Sequence, residues 1–323
     1  MKKFINKIIC GDCIEVLGKV RQPFADLIFA DPPFNIGYNY DKYYDKVKKK
    51  NYIAWTKEWM SVCKKVLKPH GSFYIAIGDD YAANVKIIAD ELGLIMRNWI
   101  IWHYTFGQQT KNKFARAHTH IFYFVNNENQ FNFNDYAVRV PSDRQLIYND
   151  RRANPIGKMP DDVWNTDPRV CGTFKERAGW HPCQMPESLL KRIIAVSSNP
   201  GDCVLDPFSG SGTTAAAACQ SGRNYVAVEI SEKYVENSNE RLAQLRKPNP
   251  VEPPASLWTD MFLNPTELDE VKRLLHDIKI TPEEITADRN LLELFTNQFA
   301  VRMNNQKQYS TEEIAATLKD LAG

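Results

Sequence analysis

The sequence predicts an α/β protein with an open, largely parallel sheet whose glycine-loop half comes last in the chain. Three observations carry this. Short apolar runs rich in Ile, Val, Phe and Tyr alternate with stretches of helical period. One such run leads into a glycine loop, Gly210-Ser-Gly212, that opens a helix. Beyond Glu229 there is one helix, a proline-rich linker and a helical tail, so the remaining strands come from upstream and the order is permuted.

In chain order, Lys7-Ile-Ile-Cys10, Ala25-Asp-Leu-Ile-Phe-Ala30 and Ser72-Phe-Tyr-Ile-Ala-Ile77 read as buried strands, with a Trp- and Lys-rich helix from Tyr52 to Leu67 before the third. Residues 98–104 and 120–125 form a long strand pair. Between 126 and 180 the pattern dissolves into polar sequence. It returns as a helix over 186–195, a strand Cys203-Val-Leu-Asp206, a helix from Thr213 to Gln220, a strand Tyr225-Val-Ala-Val-Glu229 and a helix from Ser231 to Leu245. In the tail, Ser310 and Thr311 stand ahead of Glu as a helix start does. The domains expected are a main one over 1–247 holding an insert at 105–180, a linker at 248–255 and a small helical domain at 256–323.

The 323 residues suffice for one large and one small domain. No apolar stretch approaches the roughly 18 residues of a membrane span, and the start, Met1-Lys-Lys-Phe-Ile-Asn-Lys, breaks off too early for a secretion signal. A soluble, cytoplasmic chain with no membrane partner is expected. The seven cysteines are odd in number and scattered, which speaks against a disulfide framework. Cys10-Gly-Asp-Cys13 lacks the second pair that a zinc site needs, and His118 and His120 have no carboxylate or cysteine at ligand spacing, so no metal is expected. The net charge of +2 divides at the linker: from residue 250 on there are 7 Lys+Arg against 13 Asp+Glu, and before it 34 against 26. The larger part is basic enough to attract a polyanion, although solvated lysines are the blander reading.

Two constellations carry chemistry. The loop Gly210-Ser-Gly212-Thr-Thr-Ala215 lets backbone approach a nucleotide and aims helix N–H groups at an anion. About fifteen residues past Thr214, Glu229 ends the next strand, where a carboxylate can accept both hydroxyls of a ribose. Nicotinamide dehydrogenases share this much, but a dinucleotide fold needs further strands after Glu229, and the chain has none. The second constellation is Asp31-Pro-Pro-Phe34, directly after a strand. An aromatic amine is a poor nucleophile, and a carboxylate with a proline carbonyl can accept its hydrogens and stabilise the charge that develops on nitrogen. Phe34 can stack on a base that has left the duplex.

Asp31-Pro-Pro-Phe34 and Leu205-Asp-Pro-Phe-Ser-Gly-Ser-Gly-Thr-Thr214, together with Gly11-Asp-Cys13, His181-Pro-Cys-Gln-Met-Pro186 and Val228-Glu229, resemble the amino-methyltransferases of DNA, in the permuted beta group. The resemblance runs from about Ile8 to Leu245. It implies a Rossmann-like methyltransferase fold with circularly permuted motif order and an inserted target-recognition region, with S-adenosylmethionine as cofactor. By similarity, Asp12 and Cys13 border the cofactor's adenine. Phe208, Ser209, Gly210, Ser211, Gly212, Thr213 and Thr214 hold its methionine part, and Glu229 takes the ribose. Asp31, Gln184 and Asp206 complete its site, while Asp31, Pro32, Pro33 and Phe34 serve the target base. Family members commonly have Lys where this chain has Met185. An Asp in the catalytic tetrapeptide usually accompanies N6 methylation of adenine, whereas N4-cytosine enzymes of the group more often carry Ser, which favours adenine.

The partner implied is double-stranded DNA, and the resemblance admits a cognate restriction endonuclease and a homodimer. Lys111, Lys113, Arg116, Arg151 and Arg152, among the basic residues between the strand pair and His181, are candidates for phosphates. Lys46, Lys48, Lys49 and Lys50 follow a Tyr-rich stretch and are read as a mobile flap over the DNA strand. The rival readings are N4-cytosine, RNA or protein amide methylation, a nicotinamide oxidoreductase, and a DNA-binding module that keeps the fold without activity.

Overall fold

The computed structural model describes residues 4–108, 110–172, 174–245, 263–305 and 308–322. In chain order its elements are β1 (Lys7–Cys10), α1 (Cys13–Gly18), β2 (Ala25–Ala30), β3 (Tyr38–Asn39), β4 (Tyr44–Asp45), α2 (Lys49–Val66), β5 (Leu67–Ile77), α3 (Asp79–Glu91), β6 (Ile95–Gln108), β7 (Arg116–Val125), α4 (Asp143–Leu146), β8 (Val163–Trp164), α5 (Glu187–Ser197), β9 (Cys203–Asp206), α6 (Thr213–Gln220), β10 (Asn224–Glu229), α7 (Glu232–Leu245), α8 (Pro265–Ile278), α9 (Pro282–Ala287), α10 (Arg289–Arg302) and α11 (Thr311–Ala322). No described helix is long and apolar enough to cross a membrane.

The main sheet has eight strands in the order β1-β10-β9-β2-β5-β7-β6-β8. The first five run parallel, and β7 and β6 close the far side as an antiparallel hairpin. Every residue of β2 and β9 is buried, as strands covered on both faces require. One face packs Ile28, Ile75, Leu205 and Val228 with Trp59, Met60 and Cys63 of α2 and Val85 of α3. The other packs Leu27, Phe29, Tyr74 and Val204 with Leu189 and Ile193 of α5 and the alanines of α6. Those alanines let α6 lie close on the sheet. At its other end the sheet is stapled by Asp26, which accepts from Lys68 Nζ, His70 Nε2 and the Cys203 N–H, all at 2.9 Å.

The chain divides into two compact units, Met1–Phe133 with Asp161–Pro248, and Asn134–Pro160 with Asn249–Gly323. This division departs from the sequence boundaries in one respect. The middle of the expected insert, 134–160, joins the helical tail, because Tyr136 and Ile156 pack on its core of Val271, Leu274, Phe295, Phe299 and Leu318. Asn290 Nδ2 also donates to the carbonyls of Tyr136 and Arg139, at 2.6 and 3.1 Å. The linker expected at 248–255 lies outside the described residues. Capping boxes start α8 (Asn264, Glu267) and α9 (Thr281, Glu284), and the Ser310 hydroxyl accepts from the Glu313 N–H at 3.0 Å ahead of α11.

Candidate active site

The site follows from the strand order. β2 and β9 are parallel neighbours, with Leu27 beside Val204 and Ile28 beside Leu205. From β9 the chain crosses to β10 on one side, while β2 is followed by β5 on the other. A crevice therefore opens where their carboxyl ends diverge. The residues after β2 are Asp31 to Phe34, and those after β9 are Pro207 to Gly212. Asp31 to Phe34 and Pro207 to Ser211 line one cavity of about 380 Å³, within the range of small-molecule sites, whereas Gly212, expected at the cofactor, is not among its lining residues.

The tetrapeptide is braced from behind. The Asp45 carboxylate, fully buried, accepts from the N–H groups of Asn35 and Ile36 at 2.6 and 3.2 Å. Asn35 takes a left-handed φ of 60°, and its side chain ties the loop to Val47 and to the Tyr81 hydroxyl. The Tyr52 hydroxyl donates to the Pro33 carbonyl at 2.6 Å, so of the two prolines it is Pro32 whose carbonyl has no partner among the described residues. Burial pushes the Asp31 carboxyl up to about 7, the charge of Asp206 pushes the same way, and Arg169 pulls it down. The Arg169 guanidinium lies over the Tyr104 ring, 5.6 Å from its centroid, on the wall of the same cavity.

The other end is shaped for a nucleoside carrying an anionic group. Gly210 and Gly212 take φ values of 50° and 72°, and a Cβ on Gly210 would lie 2.9 Å from the His181 ring, so the loop is pressed flat against the wall. Glu229 accepts from the N–H groups of Gly210 and Ser231 at 2.8 and 2.9 Å. Burial raises its pKa and those hydrogen bonds oppose the rise. Asp206 is pushed up to about 7 by burial, against hydrogen bonds from Thr214 and the Phe208 N–H. Arg241 braces the loop by donating to the Ser211 carbonyl and to Thr213 Oγ1, and it pairs with Glu187 at 2.6 Å. The buried Ser209 hydroxyl and His181 Nδ1 have no partner among the described residues. Loop amides at the start of α6 and a carboxylate at the end of β10 fit S-adenosylmethionine's amino acid and ribose in chemical kind, and Trp55 with Phe208 gives the same cavity an aromatic wall.

The cavity brings together Asp12, Cys13, Asp31 to Phe34, Gln184, Asp206, Phe208 to Ser211, Thr213, Thr214 and Glu229. Two of these also have structural work. Asp12 caps α1 by accepting from the Ile14 and Glu15 N–H groups, and Gln184 spends both amide atoms on the backbone of Glu176 and Ala178. Met185 lines the wall and packs on the core.

The basic residues fare differently from one another. Lys46, Lys48, Lys49, Lys50, Lys111, Lys113, Arg151 and Arg152 are all exposed, but Arg152 pairs with Asp150 and Arg116 with Asp79 and Asp80. The Tyr-rich part of the stretch read as a flap is a hairpin, β3–β4, pinned where the Ser231 hydroxyl donates to Asp41 at 2.7 Å and where Asp45 holds residues 35 and 36, while Lys48 is the N-cap residue of α2 and Lys49 and Lys50 open it. Its Tyr40, Lys42 and Tyr43 line the cavity.

Sequence reasoning missed Tyr40, Trp55, Tyr104, Arg169, His118 and Tyr234 as cavity residues. Aromatic richness was the available signal for the first two. His120 accepts from Trp99 Nε1 at 2.9 Å, whereas its neighbour His118 faces the cavity.

A family model described as DNA methylase matches residues 25–240. The type II methyltransferase M.HpaI of Haemophilus parainfluenzae is 35% identical, over 73% of this chain and 74% of its own length. The DNA adenine methyltransferase YhdJ of Escherichia coli (strain K12) is 40% identical, over 73% of this chain and 82% of its own. Among solved structures, the complex of M1.HpyAVI with SAM shares the fold at a TM-score of 0.51 and 19% identity, over 73% of this chain and 98% of that one.

Proposed function

Because the chain belongs to the DNA methylase family, we propose that it transfers the methyl group of S-adenosylmethionine to N6 of adenine in double-stranded DNA, on a base turned out of the helix. One observation carries the reading: Asp31 and Pro32 share a cavity with the glycine loop and Glu229. The cofactor supplies a methyl group already activated on a sulfonium sulfur, so what is left to the protein is alignment and charge.

Asp31 and the Pro32 carbonyl accept the two hydrogens of the amine, which draws its lone pair out of ring conjugation. As the new N–C bond forms, the amine becomes acidic. A carboxyl poised near neutrality is matched to take up its proton. Phe34 offers a face for the base, and the brace of Asp45, Asn35 and Tyr52 keeps the loop from yielding. Adenine is favoured over cytosine by Asp31, and the relative named as a DNA adenine methyltransferase supports the same choice. The reading places the chain in the cytoplasm, with duplex DNA as its partner.

The test is labelled S-adenosylmethionine with unmodified DNA, followed by digestion to nucleosides. Label should appear in N6-methyladenine. Label in N4-methylcytosine would move the reading to that base, and none in DNA would sink it.

A further inference from the structure

The hairpin of β6 and β7 ends in a tip whose composition neither core nor catalysis explains. Phe114 is 99% exposed, more than any other large apolar side chain among the described residues. Lys111 and Lys113 beside it are exposed as well. A lone exposed apolar group needs no explanation, but this one has an address. Two residues further on, at the start of β7, Arg116 lines the cavity, followed by His118 and Thr119, so Phe114 leads into the strand that forms its wall.

The stem is irregular between His103 and Gln108 but is tied back below the tip. Gly107 lets β6 approach so closely that a Cβ there would lie 2.1 Å from the Arg116 carbonyl oxygen. Arg116 ties β7 to the start of α3 through Asp79 and Asp80, at 3.0 and 3.4 Å. At the tip the Thr110 hydroxyl donates to the Lys113 carbonyl. A hairpin tied to α3 below its tip, which carries an apolar ring beside two cations, matches a duplex: the lysines suit phosphates, and the ring suits the stack between them.

Resting on the functional reading above, we propose that Phe114 is the wedge that enters the base stack when the target adenine leaves it, with Lys111 and Lys113 holding the flanking phosphates. Removing a base from a duplex leaves a gap that costs stacking, and a planar apolar side chain offsets that cost.

The experiment compares the unaltered chain with Phe114→Ala and Phe114→Trp on two DNA substrates: an ordinary duplex, and one whose target adenine faces an abasic site. Phe114→Ala should lose about tenfold or more in methylation of the paired substrate and work near the native rate on the unpaired one, with Phe114→Trp close to native on both. 2-Aminopurine at the target position should brighten on binding to the native chain and to Phe114→Trp but not to Phe114→Ala. Equal rates for Phe114→Ala and the native chain on paired DNA, or the same loss on both substrates, overturn the wedge while leaving the functional reading intact. A native chain that methylates neither substrate overturns both.

Discussion

At the scale of single residues, the proposed reaction rests on one carboxyl whose surroundings set its titration. Burial first, then the Asp206 charge, raises Asp31 to about 7, and Arg169 opposes them. The amine needs an acceptor, so activity of the free enzyme should climb with pH through the neutral range. Removing a negative neighbour favours ionisation, so Asp206→Asn should move the acid limb of kcat/KM to lower pH, and Arg169→Ala should move it higher. A limb that stays in place in both variants would show that Asp31 is not the group being titrated. Asp31, Glu229 and the glycines were legible in the sequence because each sits in a short motif at a strand end, where local pattern dictates position. Arg169 and His118 were not. They reach the cavity only through the closure of β6, β7 and the segment before α5, and no local pattern records that.

At the scale of elements, α2 begins against its own dipole. Lys48 is its N-cap residue, Lys49 and Lys50 fill the first turn, and no acidic residue stands there, although a helix N-terminus favours anions. Cations placed so are better explained by a polyanion than by helix stability. Replacing Lys46, Lys48, Lys49 and Lys50 with Ala should weaken DNA binding and flatten its salt dependence by about 0.9 in log–log slope for each phosphate no longer neutralised, without lowering the melting temperature. An unchanged slope would remove these lysines from the DNA interface. Strand positions were read well from apolar runs, but their lengths were not. β5 starts at Leu67 rather than Ser72 because Lys68 and His70, polar in sequence, are bound by Asp26 at its base. The six-residue α1 is too short to show a period. α3 went unread although it carries a period, with Tyr81, Ala82, Val85, Ile88 and Ala89 on its buried face.

At the scale of the whole molecule, the sheet has its chemistry at one end and its staple at the other. Burial would raise the pKa of Asp26, but hydrogen bonds from Cys203, Lys68 and His70 more than offset it and leave it lowered. A lowered carboxyl stabilises the fold above its ordinary value of about 3.9, and that contribution fades as pH falls through the lowered one. Asp26→Asn should therefore lower the melting temperature at neutral pH, with the gap to the native chain narrowing below about pH 4. A gap that stays constant into acid would mean that charge has no part in the staple. The permuted order was legible because strands ended at Glu229. The union of 134–160 with the tail was not, since it depends on packing between segments more than a hundred residues apart. The central claim is that the loops after β2 and β9 form one site, in which the first serves the amine and the second the cofactor. Asp31→Ala tests it most directly, through methyl transfer to DNA and calorimetric binding of S-adenosylmethionine measured on the same preparation. The account predicts that transfer is lost while binding is largely kept. Transfer that persists at the native rate would contradict it.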